Sequence, residues 1–451
     1  MHLWILALAC ALLVGCGGGG GGNSAPVEPP PVVQPEPQPE APAGCSVAEQ
    51  RQSLRSAMEN DYFWPTQAGD AGAATMDAYF QSLLFKPTDR YSYSESSAND
   101  VLLILGQRVG YGYTLAWADA AGTVLKVRNV EPHSPVALAG LRRGDTVLAI
   151  DGQSPAQVAA GSLAPVSTPG VPREFVLRDA AGQERRLAVS SAQFPLSTVP
   201  ATATFSVTRP APGGSETVKV GYIVYQQFMV YGYIELGDAI RSMAAAGVQE
   251  LVLDLRYNNG GSVNLSRDLA SMVGGTRVAG QVFAQLRYNA RNVASNYDMP
   301  FITLPAGLPA PPLQGLPRVL VITSGATASA SELFINGLKP LMPVVLVGQT
   351  TYGKPYGFVA RESCGTSYNA VKFETFNGQG LGRYTAGFAP DCEVADDLDR
   401  QLGDPLEART RAALDYIATG SCAALPRSLV QGATRPPQAF GETWSGGMLR
   451  D

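Results

Sequence analysis

The sequence predicts an α/β fold, because strand and helix patterns alternate from about Val220 onwards. Residues 251–255 are nearly continuous Leu and Val, as in a strand buried on both faces, and residues 263–273 carry apolar side chains at helical spacing. Two further observations divide the chain. Residues 107–192 contain short strand patterns separated by Gly, Asp and Pro turns, and residues 45–106 have helical periodicity.

The α/β core is predicted to occupy residues 193–425. Its predicted strands are residues 220–228, 251–255, 319–322, 344–347 and 368–376, and its predicted helices are residues 236–246, 263–273, 329–338 and 405–418. Strands that alternate with helices in this way lie parallel in a sheet that the helices flank. Residues 426–451 are rich in Pro, Gly and polar types, which predicts a loosely packed C-terminal tail.

The first residues have the pattern of an export signal. An apolar run over residues 3–14 is too short to span a bilayer, and Leu13-Val14-Gly15-Cys16 has the form of a bacterial lipobox. We therefore expect a lipoprotein signal peptide over residues 1–15, cut before Cys16, whose sulfur would carry lipid. The alternative is an ordinary secretory signal in which this cysteine is incidental.

Residues 16–44 are predicted to form a tether. Residues 17–22 are an unbroken glycine run, and residues 23–44 alternate Pro, Glu, Gln and Val, which favours an extended spacer. No later segment is apolar over enough residues to predict a transmembrane helix. We expect a lipid-anchored protein of the bacterial cell envelope, periplasmic or associated with the outer membrane, which contacts the membrane through the lipid on Cys16.

Charge and histidine content argue against two classes of function. Lys and Arg total 33 against 38 Asp and Glu, for a net charge of −5, and no basic block predicts a nucleic acid partner. The only histidines are His2, in the predicted signal peptide, and His133, which we expect to be a solvated turn residue. A Ser-His-Asp hydrolase is therefore nearly excluded, and a nucleophilic serine would need a lysine base kept neutral by burial.

Ser329 and Lys354 fit this requirement. Ser329 opens a predicted helix, where free amide groups and the helix dipole favour the negative charge that develops during acyl transfer. Lys354 follows Gly353 after the next predicted strand, 354 − 329 = 25 residues later, so it can enter the same cleft. Ser331 is the alternative nucleophile, but it lies two residues further along the helix and points away from the Ser329 side chain.

Gly260 and Gly261 follow another predicted parallel strand, in the stretch Asn258-Asn259-Gly260-Gly261. Glycines let backbone N–H groups approach a substrate carbonyl closely, and a tetrahedral intermediate needs such donors. Each feature alone has an ordinary structural explanation, as a helix cap, a turn or a solvated lysine. Together they predict a site for acyl transfer.

Four cysteines follow the leader and tether: Cys45, Cys364, Cys392 and Cys422. An even number in an exported protein predicts two disulfides, and four cysteines allow three pairings. We favour Cys364–Cys392 around a strand pair and Cys45–Cys422 joining the two ends of the globular body. A zinc site is the weaker alternative, because C-x-x-C spacing is absent and His133 lies far from all four in sequence.

Two motifs stand out in residues 107–192: SPVALAGLRRGDTVLAIDGQ and the run Gly110-Tyr111-Gly112-Tyr113. Together they resemble a PDZ domain of the form common in bacterial envelope proteases, and the run matches the loop whose amides hold a C-terminal carboxylate. The predicted strands are residues 109–117, 124–130, 146–150, 173–177 and 186–189, with a short helix at residues 135–139. The resemblance implies that the domain binds an extended peptide by adding it to a sheet edge.

Six further motifs occur in order along the core: VGYIVYQQF, LVLDLRYNNGG, TASASE, VVLVGQTTYGK, GFAPD and LGDPLE. With them the chain resembles the carboxyl-terminal processing proteases, also called tail-specific proteases, from about Cys45 to Cys422. The resemblance implies a crotonase/ClpP-like α/β core that bears an inserted PDZ domain. It also implies that no metal or organic cofactor is needed.

The resemblance also assigns roles to single residues. It implies that Ser329 is the nucleophile and Lys354 the general base, and that the amide of Ala330 and a glycine of Gly260-Gly261 form the oxyanion hole. Two positions depart from the family pattern. Phe358 replaces a glutamine four residues after the lysine, and Pro340 replaces an aspartate eleven residues after the serine, so the group that orients the lysine stays open.

These observations predict an envelope-anchored serine endopeptidase that recognises protein or peptide substrates through their free C-terminal tails. One alternative is a non-catalytic envelope protein that binds peptides through its PDZ domain. Another is a carrier of apolar ligands on a protease-like fold. Loss of Ser329 or Lys354 would have favoured either alternative, and both residues are present.

Overall fold

The computed structural model describes residues 44–303, 313–422 and 440–441. All of them belong to one of the two compact units into which the chain divides, Ala43–Asp451. The predicted signal peptide, Cys16, nearly all of the tether and most of the predicted C-terminal tail lie outside the described residues. Among the helices that are described, none is both long enough and apolar enough to cross a membrane.

The helices and strands of the described residues are numbered in chain order. The helices are α1 (Val47–Asp61), α2 (Met76–Leu83), α3 (Ser97–Ile104), α4 (Pro135–Leu138), α5 (Pro155–Ala159), α6 (Tyr233–Ala245), α7 (Val263–Gly274), α8 (Ala330–Leu338) and α9 (Ala408–Thr419). The strands of the N-terminal half are β1 (Tyr93–Ser96), β2 (Gln107–Gly110), β3 (Tyr113–Trp117), β4 (Leu125–Val130), β5 (Thr146–Ile150), β6 (Pro172–Arg178), β7 (Glu184–Ser190), β8 (Ala192–Pro195), β9 (Ala201–Ala211) and β10 (Gly214–Val224). Those of the C-terminal half are β11 (Glu250–Asp254), β12 (Val282–Tyr288), β13 (Tyr297–Pro300), β14 (Val319–Thr323), β15 (Val344–Gly348), β16 (Tyr356–Phe358), β17 (Arg361–Ser363), β18 (Thr366–Asn369), β19 (Val371–Phe376), β20 (Cys392–Glu393) and β21 (Phe440–Gly441).

The main sheet has the strand order β20-β15-β14-β11-β10-β9. All neighbouring strands are parallel except the β9–β10 hairpin. Successive side chains of a strand point to opposite faces, so Leu251 and Leu253 pack with α6, α7 and α8, while Val252 packs with α9. The predicted α/β core is confirmed, and its parallel strands end at the edge where the candidate site lies.

A second sheet with the order β21-β3-β4-β5-β6-β7 forms, with α4 and α5, the β domain of this chain. It has its own apolar core, which includes Tyr111, Tyr113 and Phe175. The antiparallel pair β2–β8 connects the β domain to the main body. The predicted strand 109–117 is broken in the structure, because Gly112 adopts a φ of +87° and a Cβ there would lie 2.1 Å from the Cβ of Ser134.

The N-terminal region packs α1 and α2 against the small sheet β1-β18-β17. The prediction of helices over residues 45–106 is correct for α1 to α3 but wrong for Tyr93–Ser96, which pairs antiparallel with β18. The predicted strand 368–376 is likewise two strands, β18 and β19, which belong to different sheets. Both differences arise because strand pairing with a distant segment decides the local conformation, and periodicity does not report the partner.

The four cysteines form two disulfides as predicted, but the favoured pairing is wrong. The structure joins Cys45 to Cys364, with a Cα–Cα distance of 5.7 Å, and Cys392 to Cys422, at 5.4 Å. Cys364 lies in the turn between β17 and β18 of the small sheet, whereas Cys392 lies on β20 of the main sheet. The two therefore do not flank one strand pair, and α9 returns the chain from β20 to bring Cys422 beside Cys392.

Candidate active site

Ser329 stands between β14 and α8 in an unusual backbone conformation. Its φ is +60° and its ψ is −116°, and the residue is 0% exposed. A non-glycine residue in such a region costs on the order of 1–3 kcal/mol and persists where the surrounding packing imposes it. Gly260 supplies part of that packing, because a Cβ built on this glycine would lie 2.7 Å from the Cβ of Ser329.

The Ser329 hydroxyl is buried and has no hydrogen-bond partner among the described residues. An unsatisfied buried hydroxyl costs about 1–3 kcal/mol, so native structures rarely retain one without a functional reason. The alternative nucleophile, Ser331, is already engaged, since its hydroxyl donates to the carbonyl of Asn258 at 3.0 Å. Of the two serines, Ser329 is the one whose oxygen is available for chemistry.

Lys354 lies in the loop between β15 and β16 and is 5% exposed. Burial lowers the pKa of its ammonium group to about 8, and the negative charges of Asp89 and Glu332 oppose that decrease. The Nζ atom lies 4.5 Å from the centroid of the Phe358 ring. The residue that replaces the family's glutamine therefore contacts the lysine through an aromatic face, which attracts a cation but accepts no conventional hydrogen bond.

Glu332, on the first turn of α8, connects the serine loop to the lysine loop. One of its oxygens accepts from the N–H groups of Ser329, at 3.0 Å, and of Lys354, at 2.8 Å. The other accepts from the Thr351 hydroxyl at 2.5 Å and from the Gly353 N–H at 2.7 Å. Burial raises the pKa of Glu332, and these four hydrogen bonds oppose the increase.

Sequence reasoning missed this role of Glu332. A serine followed three residues later by glutamate is the ordinary signature of a capping box at a helix start. That signature explains the bond to Ser329 but not the three bonds to the lysine loop, which depend on tertiary structure.

The glycine loop after β11 lies beside the serine. Gly260 and Gly261 have φ values of +112° and +130°, and both are buried. A Cβ on Gly260 would lie 3.0 Å from the nitrogen of Ala330, so the predicted oxyanion residues are close together. The N–H of Gly260 already donates to Oδ1 of Asn258 at 2.9 Å. Phe228 bonds to the residues on either side of Gly261, through the Gly260 carbonyl and the Ser262 N–H.

The N-terminal region also reaches the lysine loop. A terminal nitrogen of Arg90 donates to the carbonyls of Tyr352, Gly353 and Thr385, at 3.1, 3.3 and 2.9 Å. The Tyr91 hydroxyl donates to the Gly353 carbonyl at 2.9 Å. These bonds brace the backbone just before Lys354, and no local motif in the sequence indicates them.

The predicted peptide-binding loop lies apart from the serine, in the β domain. The side chains of Tyr111 and Tyr113 are buried in the core of that domain, and Gly110 and Gly112 have positive φ values. A cavity lies between β3 and the glycine loop; its lining includes Thr114, Gln226, Gln227, Tyr231 and Asn259. His133 is exposed in the turn before α4, as expected. Within the described part of the chain, no group of three His, Cys, Asp or Glu side chains could hold a metal ion.

Comparisons with known proteins agree with the motifs. Residues 219–394 match the model of peptidase family S41. The chain is 27% identical over 311 residues to a carboxyl-terminal-processing protease of Synechocystis, covering 64% of this chain and 63% of the relative. It is 28% identical over 250 residues to the chloroplastic carboxyl-terminal-processing peptidase 1 of Arabidopsis thaliana, covering 52% of this chain and 45% of the relative. The chain thus spans less than two thirds of the length of either relative.

Among solved structures, we compare one that is similar over most of the chain. It is a crystal structure of a candidate S41 protease from Bacteroides fragilis, with a TM-score of 0.63 and 25% sequence identity. The superposition covers 85% of this chain and 98% of that one. The predicted resemblance to carboxyl-terminal processing proteases and the predicted mixed α/β fold are therefore confirmed.

Proposed function

Because residues 219–394 match the model of peptidase family S41, we propose that the protein is a serine endopeptidase with a Ser329–Lys354 dyad. The observation that carries the proposal is the shared carboxylate of Glu332. Since one oxygen accepts from the amides of both Ser329 and Lys354, the two residues start from neighbouring backbone positions. An unpartnered hydroxyl and a lysine of lowered pKa at those positions are the parts that an activated serine nucleophile requires.

The dyad would act in two steps. Neutral Lys354 takes the proton of the Ser329 hydroxyl as Oγ forms a bond to the substrate carbonyl carbon, and the carbonyl oxygen takes the negative charge. The lysine then gives this proton to the amine leaving group as the C–N bond breaks, which leaves an acyl-enzyme. Water attacks the ester, Lys354 accepts the water's proton and returns it to Oγ, and the free acid departs.

The oxyanion would be held by backbone amides. We assign this role to the N–H groups of Ala330 and Gly261. Ala330 is the first residue of α8, so its N–H has no acceptor within the helix. Of the two glycines Gly261 is preferred, because the N–H of Gly260 already donates to Asn258. Preorganised donors of this kind are worth about 3–4 kcal/mol each in serine hydrolases.

Substrates would be recognised by the β domain acting as a PDZ domain. The loop Gly110–Tyr113 would hold a free C-terminal carboxylate, and the substrate's tail would add to the edge of β3. The cavity that Thr114 and Asn259 both line supports a route from that edge to the glycine loop. The chemistry that fits is an extended protein tail with a free, apolar C-terminus.

Export and anchoring complete the proposal. A lipid on Cys16 would anchor the protein to a membrane of the bacterial envelope, with residues 17–44 as the tether. The two disulfides of the globular body support an oxidising compartment, since such bonds are rare in the cytosol.

Turnover of a tailed substrate tests the proposal. The probe is a fluorogenic peptide that ends in Val-Ala-Ala, prepared as the free acid and as the C-terminal amide. Ser329→Ala should lower kcat/KM by at least about 10³-fold, whereas Ser242→Ala, on the exposed face of α6, should leave it unchanged. Amidation should lower kcat/KM by about tenfold or more, because the carboxylate contact is lost. Equal cleavage by wild type and Ser329→Ala would refute the dyad, and equal cleavage of acid and amide would refute tail recognition.

A further inference from the structure

The edge of β3 is occupied in the structure by a segment of the same chain. β21 pairs antiparallel with β3, with Phe440 opposite Leu115 and Gly441 opposite Thr114. The other edge of β3 pairs with β4, so β21 takes the edge that would otherwise be open. In sequence, β21 lies far from the β domain, beyond α9 and within the predicted tail.

The position and direction of β21 are those of an added peptide strand. Gly441 is opposite Thr114, next to the Gly110–Tyr113 loop, whereas Phe440 is one residue further from it. The segment therefore runs towards the loop, which is the direction in which a peptide's C-terminus would enter. Helix α5 lies beside β21 on the other side, so strand and helix form two walls of one groove.

We propose that the segment at Phe440–Gly441 is an internal ligand of the β domain, which the C-terminal tail of a substrate must displace. The pairing of β21 with β3 does not depend on the proposed function, whereas competition with a substrate rests on the proposed tail recognition. The groove and its occupant have the chemistry of β-strand addition, in which main-chain hydrogen bonds supply much of the affinity. An internal segment can use these bonds without a terminal carboxylate.

The short linker between α9 and β21, which is distinct from the N-terminal tether, makes this competition effective. Cys422 is fixed to Cys392 by a disulfide, and 440 − 422 − 1 = 17 residues join it to Phe440. Seventeen residues can span up to about 60 Å when extended, which is ample for a domain of this size. A segment on a short tether competes at an effective concentration on the order of millimolar, so an internal segment with an intrinsic Kd of only about 0.1 mM raises the apparent Kd of a free peptide about tenfold.

The internal ligand also lies at the entrance of the route to the active site. Thr114, which faces Gly441 across the strand pair, lines the cavity that Asn259 lines from the other side. Asn259 directly precedes Gly260 and Gly261. Displacement of β21 would thus place the tail of a substrate where its upstream residues can extend towards the glycine loop.

Hydrogen exchange of the full chain tests the pairing without any use of catalysis. The double variant F440P/G441P removes both N–H donors of β21 and prevents strand addition without shortening the chain. The amides of β3 that point towards β21 should exchange at least about tenfold faster in this variant, since they lose their partner strand, whereas the amides that point towards β4 should keep their protection. R427P/S428P, which places two prolines elsewhere in the same tail, should leave the exchange as in the wild type. Unchanged exchange in F440P/G441P overturns the proposal, and so does protection that falls on dilution, because the segment would then come from a second copy.

Peptide binding tests the competition. In a Ser329→Ala background, which prevents cleavage, the anisotropy of a fluorescent peptide ending in Val-Ala-Ala as the free acid reports its affinity. F440P/G441P should bind this peptide at least about tenfold more tightly than the parent, because the tethered competitor is removed. Equal affinity overturns the displacement while leaving tail recognition intact. Absence of peptide binding by both proteins also overturns the displacement. If wild-type enzyme then also cuts the free acid and the amide at equal rates, the failure lies in the proposed tail recognition.

Discussion

Lys354 combines a positive charge with a buried position beside an aromatic ring. Lys354 is 5% exposed, its Nζ faces the Phe358 ring, and burial lowers its pKa to about 8. Burial makes the neutral amine accessible near physiological pH, which a general base needs, but it also makes the charged form costly. Catalytic competence and stability are therefore in conflict at this residue.

The pH dependence of activity follows from that pKa. We expect kcat/KM to rise with pH through a single ionisation near 8, because only neutral Lys354 accepts the serine proton. Asp89→Asn should move this ionisation to lower pH, since the charge of Asp89 raises the lysine pKa. The measurement is kcat/KM from pH 6 to 10 for both proteins. A profile that is flat across this range would contradict the role of Lys354.

The same burial predicts that removing the lysine stabilises the protein. A pKa that falls from 10.5 to about 8 on folding means that the unfolded state binds more protons between these pH values, so wild-type stability rises with pH across that window. At pH 7 the penalty is about 3 kcal/mol. Lys354→Met should therefore increase the free energy of unfolding at pH 7, by an amount of this order, and abolish cleavage. Urea titrations at pH 7 and 10 should show the advantage shrinking at the higher pH, whereas a variant less stable than wild type at pH 7 would contradict the account.

At the scale of elements, the candidate active site lies where three loops meet, those that follow β11, β14 and β15. The parallel order of these strands brings their C-terminal ends to one edge of the sheet. Glu332 joins the loops after β14 and β15 through its bonds to Ser329 and Lys354. Arg90 holds the lysine loop from the N-terminal region by donating to the carbonyl of Tyr352. A carboxylate suits this position because it accepts hydrogen bonds only, and all four of its partners are donors.

Glu332→Gln tests whether that carboxylate positions the dyad. The amide of glutamine presents N–H groups to donors, so we expect kcat to fall about 10²-fold while KM changes little, since misplacement of reacting groups by about 1 Å has this effect. Glu250→Gln is the matched control, because Glu250 is likewise buried and accepts from Arg209 and Arg318, but it opens β11 at the edge of the sheet opposite to the three loops. Both variants should lose stability in urea titrations, but only Glu332→Gln should lose kcat. Equal kcat losses would assign Glu332 a merely structural role.

The sequence predicts those elements that depend on local pattern and misses those that depend on a distant partner. The prediction of a strand at residues 251–255 and of a helix opened by Ser329 agrees with β11 and α8, because apolar periodicity and a polar residue at the helix start are local signals. Strands β12 and β21 were not predicted; β12 pairs with β19 and β21 pairs with β3, and both partners lie far away in sequence. The cysteine pairing failed for the same reason, because sequence does not reveal which sheet holds Cys392.

At the scale of the whole molecule, a buried ion network joins the β domain to the main body. Arg143, just before β5, donates to Asp396 at 2.8 Å and to the hydroxyl of Tyr257 at 2.6 Å. Arg143 and its neighbours hold the pKa of Asp396 well below its usual range. Tyr257 directly precedes Asn258 of the glycine loop, so the network places the β domain in contact with the backbone that leads to the oxyanion residues.

Arg143→Met should destabilise the protein at pH 7 by about 3 kcal/mol, because Asp396 loses one of its buried partners. Asp396 has a depressed folded pKa, so its contribution to stability is present above the ordinary aspartate value of about 3.9 and is lost as pH falls below it. The difference from wild type should therefore shrink under acid. Arg186→Met, which breaks an exposed pair with Glu174 inside the β domain, should cost less than about 1 kcal/mol. Urea titrations that give equal costs for the two variants would contradict the importance of the network.

If Ser329 is the nucleophile, it carries the acyl group during turnover, and that residue can be identified chemically. Wild-type enzyme is mixed with a peptide p-nitrophenyl ester, quenched with acid during turnover and digested with trypsin. Trypsin does not cut the Lys339–Pro340 and Lys354–Pro355 bonds, so cleavage after Arg318 and Arg361 gives one peptide, residues 319–361, that contains both Ser329 and Ser331. Fragmentation in the mass spectrometer should place the acyl group on Ser329, and Lys354→Met should show no adduct. An adduct on Ser331 or on another residue would contradict the account, as would steady turnover in Ser329→Ala.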